Sequence, residues 1–211
     1  MSVDRASFPT GSGRQTMRAM VIASTVALGG LTLCGCGMSP DYVQGGEGDV
    51  FLFVTAINGG AAFSSDVRTG DAGNTVVEDD VTVSLANRSK NPTVTGLQVA
   101  RAIDLERYTV RYFRSDGRNT QGVDVPYEIS GPVRNVVDIG QNIDVSIEVV
   151  RAQAKLEPPL TNLKGNVPNA LGGGPLILTI FAEITIYGRQ TSGEAVRASG
   201  TLQIDFADVA Q

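Results

Sequence analysis

Ile143-Asp144-Val145-Ser146-Ile147-Glu148-Val149 decides the fold class, because apolar and polar side chains alternate without a break. Side chains on an extended strand point to opposite faces in turn, so this pattern is a strand with one buried and one wet side. The same signature recurs outward in both directions. Val81, Val83 and Leu85 alternate with Thr82 and Ser84, and Leu202, Ile204 and Phe206 alternate with Thr201, Gln203 and Asp205. Tyr108, Val110 and Tyr112 oppose Arg107, Thr109 and Arg111, while Phe113 on the second face predicts partial cover there. From Leu176 to Tyr187 both faces are apolar for much of the length, as expected of a central strand.

Turn chemistry separates these runs. Arg114-Ser115-Asp116-Gly117-Arg118-Asn119, Gly70 to Asn74 and Thr191-Ser192-Gly193-Glu194 place Gly, Asn or Asp where a left-handed backbone is needed. Tyr187 to Val196 reads as the turn region of a terminal hairpin. No helical period appears beyond a turn or two near Pro158 to Leu163, inside a Pro- and Gly-rich connection from Glu157 to Gly174. Seven or eight strands with short turns predict an all-β, two-sheet antiparallel sandwich over residues 49–211, immunoglobulin-like or fibronectin-like, with a jelly roll as the alternative. The cysteine pair and core tryptophan of antibody domains are missing, so only the broader architecture is expected.

Ahead of the sandwich, Arg14 and Arg18 precede an apolar stretch from Ala19 to Leu33, the charge pattern of a signal peptide. Fifteen residues make about 22 Å of helix, short of a ~30 Å hydrocarbon core. The stretch ends in Leu33-Cys34-Gly35-Cys36, which resembles the lipobox of bacterial lipoproteins: Leu three positions before the modified cysteine and a small residue directly before it. Choosing Cys34 instead would put Leu33 where the small residue belongs. The resemblance implies cleavage after Gly35, lipidation of Cys36, and membrane attachment of the mature chain through its N-terminal lipid. Gly37 stands where aspartate commonly signals inner-membrane retention, so the outer membrane is implied in an organism that has two. Residues 1–35 are thus expected to be a signal peptide. Met17 opens a more compact one and is a candidate start, with a long n-region as the alternative. An ordinary secretory signal or short anchor also remains open. Residues 36–48, from the lipidated cysteine through the Gly-rich GMSPDYVQGGEG, read as a flexible tether with a span of about 20 Å. Two further segments, Glu106 to Arg118 and the final hairpin, resemble parts of uncharacterised bacterial lipoproteins, which implies no activity.

Composition narrows the function. The chain carries 17 Lys and Arg against 22 Asp and Glu. The first 35 residues hold Arg5, Arg14 and Arg18 against Asp4, so the remainder is more acidic still, which does not suit nucleic acid. There is no histidine and no tryptophan. Ser-His-Asp, Cys-His and imidazole-metal chemistry are therefore excluded, and beyond Cys36 no thiol is left to act as a nucleophile. No cofactor is expected: Gly172-Gly173-Gly174 lacks the lysine and hydroxyl of a phosphate loop. Asp144, Glu148 and Asp205 fall on strand exteriors, where solvation is the expected reading, and no catalytic residue is assigned. Tyr108 and Tyr112 read as core rather than as a sugar platform. Arg107 and Arg111, with Arg101 and Arg114 nearby in sequence, are expected to pair with carboxylates on the neighbouring strand, with docking of an acidic partner as the alternative. Asp66, Asp71, Glu78, Asp79 and Asp80 could in principle ligate calcium, but they lack EF-hand order and read as a solvated loop. The expectation is a non-catalytic interaction or structural module at the cell envelope, its expected partner another envelope protein. A small-ligand or glycan-binding protein is the alternative, marked by at least two exposed tyrosines on one concave surface; a carboxylate enzyme is a third reading.

Overall fold

The computed structural model describes residues 48–68, 75–91, 93, 98–164 and 176–209. Cys34, Cys36, the tether up to residue 47, the Gly70 to Asn74 turn and Gly172 to Gly174 lie outside them. Among the described residues eight strands follow one another: β1 (Val50–Ile57), β2 (Phe63–Asp66), β3 (Asp79–Ser89), β4 (Ile103–Phe113), β5 (Ile129–Val137), β6 (Asn142–Val150), β7 (Leu178–Gln190) and β8 (Ala195–Ala207). They form a three-stranded sheet ordered β1-β3-β6 and a five-stranded sheet ordered β2-β8-β7-β4-β5. All pairings are antiparallel except β2 with β8. With β1, β3 and β6 in the places of strands A, B and E, and β4, β7 and β8 in those of C, F and G, this is the order of an immunoglobulin-like sandwich.

The alternating residues occupy the faces their pattern predicts. Val83, Leu85, Val110, Val149, Ile180, Ile184, Ile204 and Phe206 are fully enclosed between the sheets. Tyr108 and Tyr112 are core residues, and the Tyr112 hydroxyl crosses the sandwich to donate a 2.5 Å hydrogen bond to the Val149 carbonyl. Phe113 has the expected outer cover: its ring stacks on Phe181 with centroids 5.5 Å apart. β7 is central, but it begins at Leu178; Leu176 and Ile177 precede it and are exposed. The hairpin ladder continues to Arg189 opposite Ala195, so the turn is narrower than the sequence suggests and occupies only residues 191–194.

The chain changes sheet between β1 and β2 through a short 3-10 turn, Asn58–Gly60. Asn58, Gly59 and Gly60 all have positive φ, a conformation open mainly to Gly and Asn, and the Asn58 amide donates to the Ala61 and Ala62 carbonyls. Residue 48 leads into β1 at the end of the sandwich that holds the β5–β6 and β7–β8 turns. There Asp49 is gripped by Arg101 at 2.7 Å and by Gln190 at 2.6 Å. Beside them, the buried Asn87 amide donates to the Arg101 and Val137 carbonyls, 2.8 Å each. Strand directions send the β2–β3, β4–β5 and β6–β7 connections to the opposite end.

Candidate functional site: a groove at the remote end

The β4–β5 connection is a loop whose charges alternate in sign and pair locally. Arg114 forks onto Asp116 at 2.6 Å, Asp116 also accepts the Arg118 N–H, and Arg118 reaches Asp124 at 3.1 Å. The Arg114 guanidinium and the Arg118 N–H hold the Asp116 carboxyl down at about 2. Asp124 is lowered too: desolvation works upward, and the hydrogen bonds from Arg118 and Thr120 outweigh it. The Thr120 carbonyl gathers the N–H groups of Val123, Asp124 and Val125. Gly122, at φ +74°, lies under the Tyr127 ring, where an added Cβ would stand 2.6 Å from Tyr127 Cζ. Tyr127 is thus held in place although it is 56% exposed.

The facing wall comes from the β6–β7 connection. It holds two 3-10 turns, Ala152–Leu156 and Leu160–Leu163, only the second of which the sequence signals. Leu160 and Leu163 plug the core. Lys155 is 1% exposed and its ammonium lies 2.9 Å from Asp79 at the start of β3; the second Asp79 oxygen accepts the Ser65 hydroxyl at 2.5 Å. Asp79 is therefore no member of a solvated loop, as the sequence reading had it. It is the largely shielded counter-charge that ties the connection to both sheets. A buried ammonium needs such a partner, since desolvation of an unpaired charge costs several kcal/mol.

Between these walls lies a groove of about 240 Å³, lined by Pro126, Tyr127, Glu128, Ile129, Arg151, Gln153, Ala154, Glu157 and Pro158. Arg151 Nη2 donates to the Ser130 carbonyl at 3.1 Å, and its Nε lies 3.8 Å from Glu148. Gln153 donates to Glu157 at 2.7 Å. Among the described residues nothing is paired with Glu128.

The residues singled out by sequence are dispersed. Arg111 pairs with Glu183 across β4 and β7 at 2.9 Å, as expected, whereas Arg107 lies 3.8 Å over the Tyr187 ring. Asp144 accepts from Ser84 and Asp205 from Thr179, each a cross-strand pair. Only Glu148 comes near the groove, through Arg151. Tyr127 is the groove's one tyrosine, Tyr187 sits elsewhere under Arg107, and Tyr108 and Tyr112 are buried, so the two-tyrosine concave surface is not present among the described residues. Nor does any group of three or more Asp, Glu, Cys and His among them form a set able to hold a metal. Sequence reasoning missed Tyr127, Glu128 and Arg151. The available signal was Pro126-Tyr127 directly after the charged turn. No protein-family model, no curated protein and no solved structure matches this chain.

Proposed function

We propose that the chain is a lipid-anchored protein of the cell envelope, joined to the membrane through Cys36, and that it works as a non-catalytic module holding another envelope protein at the remote end of its sandwich. The observation that carries this reading is the placement of the groove opposite the end where residue 48 enters β1. A tether entering at residue 48 would then attach at the end of the sandwich away from the groove, leaving the groove clear of the attachment point. The outer membrane is its location where the cell has two. A groove of about 240 Å³ falls below the 300–1,000 Å³ usual for small-ligand pockets, which favours a partner's side chains over a free metabolite. Tyr and Arg, the residues enriched at interface hot spots, stand on its two walls as Tyr127 and Arg151. Exposed Val123 and Leu156 neighbour these walls in sequence.

Two measurements test the reading together. Cys36→Ser should move the protein out of the membrane fraction, while Cys34→Ser should not. A photo-crosslinking residue at Val123 or Leu156 should capture one discrete envelope protein in intact cells, and the same residue at Ser192, in the β7–β8 turn at the opposite end, should not. Retention of Cys36→Ser in the membrane, or crosslinks confined to Ser192, would overturn the proposal.

A further inference from the structure

Building on the remote end as an interaction surface, we infer that the groove takes an arginine side chain of the partner protein. Three features of the groove point to this chemistry. First, its one guanidinium is already engaged: Arg151 donates to the Ser130 carbonyl and has Glu148 as its counter-charge. Glu128, which has no partner among the described residues, and Glu157, whose carboxylate accepts the neutral Gln153 amide, therefore leave the groove net negative. An incoming cation would be neutralised there, and an incoming carboxylate repelled.

Second, the Tyr127 ring is preorganised. Its contact with Gly122 fixes one side, and the rest of the ring remains open at the groove. A planar guanidinium can stack on such a ring while its N–H fork meets a carboxylate, and an ammonium can do only the electrostatic half of this. On the outer face of its five-stranded sheet the chain makes each half of this contact with a separate arginine: Arg107 lies over Tyr187, and Arg111 meets Glu183. Third, the apolar floor of Ile129, Pro126 and Pro158 suits the methylene stem of a long side chain rather than a compact ion.

The test uses the purified full-length protein in detergent, ¹⁵N-labelled, titrated with the capped tripeptide acetyl-Gly-Arg-Gly-amide and with versions carrying Lys, Gln or Glu at the centre. The arginine peptide should shift amides at residues 126–129 and 151–158, bind at least about threefold tighter than the lysine peptide and about tenfold tighter than the glutamine peptide, and outcompete the glutamate peptide. Tyr127→Ala and Glu128→Gln should each weaken it by about tenfold, whereas Asp104→Asn, an exposed carboxylate on β4, should leave it unchanged. Equal binding of the glutamine peptide, shifts spread over the whole acidic surface, no effect of Glu128→Gln, or a preference for a neutral saccharide such as maltose would overturn the inference. Crosslinking from Val123 that persists without arginine binding sinks this inference alone. Arginine binding without any crosslinked envelope partner sinks the broader proposal instead.

Discussion

The ring of Tyr108 lies against the backbone of Gly131 on the neighbouring strand, so close that a Cβ added to Gly131 would stand 2.7 Å from Tyr108 Cζ. A phenol ring clamped in the core cannot swing away as a lysine tip would. Gly131→Ala should therefore cost about 1–3 kcal/mol by overpacking, read as a lowered urea midpoint. In a Tyr108→Ala background the same change should cost little, a coupling that a double-mutant cycle would expose. Additive effects would place the ring elsewhere.

Lys155 and Asp79 form a pair in which each partner is worse off alone. Lys155→Ala should destabilise the sandwich by about 3–5 kcal/mol, because it strands a carboxylate that is 12% exposed. Lys155→Met combined with Asp79→Asn should be distinctly milder in the same denaturation series, since no unpaired charge remains. A milder Lys155→Ala than double variant would mean that water reaches the pair.

Tyr112 makes the fold sensitive to base. Burial above all, and then the Glu148 charge, push its phenol well above the ordinary value near 10. The folded state keeps the proton while the unfolded chain loses it, so the stability is intact below about pH 10 and falls as pH rises beyond it. Tyr112→Phe should flatten that alkaline decline. At neutral pH it should cost about 1 kcal/mol for the lost hydrogen bond to Val149. An unchanged alkaline slope would assign the effect to another group.

The faces of β8 can be tested with a single charge moved by one residue. Ile204→Asp buries an unpaired carboxylate at a fully enclosed position and should cost several kcal/mol, about enough to unfold the domain. Gln203→Asp stays in water and should cost under ~0.5 kcal/mol. Equal thermal shifts in the two variants would contradict the register of Phe181 opposite Gln203.

Sequence exposed the strands that have one wet face, together with the long apolar run of β7, and hid the others. β3, β4, β6 and β8 alternate cleanly because their outer sides meet water or a cross-strand polar partner. β1 does not, since Phe51 and Phe53 put rings 5.6 Å apart on its outer side while Val50 and Leu52 are buried on the other. β2 has only four residues, too few for a period to show. β5 is interrupted by Gly131 and Pro132: the glycine is explained only by the ring beside it, and the proline suits an edge strand. The groove was illegible for a different reason. Its walls are two connections distant in sequence, and the ion pair that anchors one of them joins Lys155 to Asp79 with no local spacing rule. Nothing about Lys155 in its own segment marks it as buried.

The grip of Arg101 and Gln190 on Asp49 has a mechanical meaning once the far end is occupied. A pull between a membrane anchor and a partner at the groove would run along the strands rather than across them. The β1–β3 ladder from Val50–Ser89 to Ile57–Val83 would be loaded in shear, with its hydrogen bonds strained together instead of opening one after another from an end. A ladder loaded in this way would resist the pull as a unit. It suits a rigid strut whose length stays constant while its two attachments are tugged.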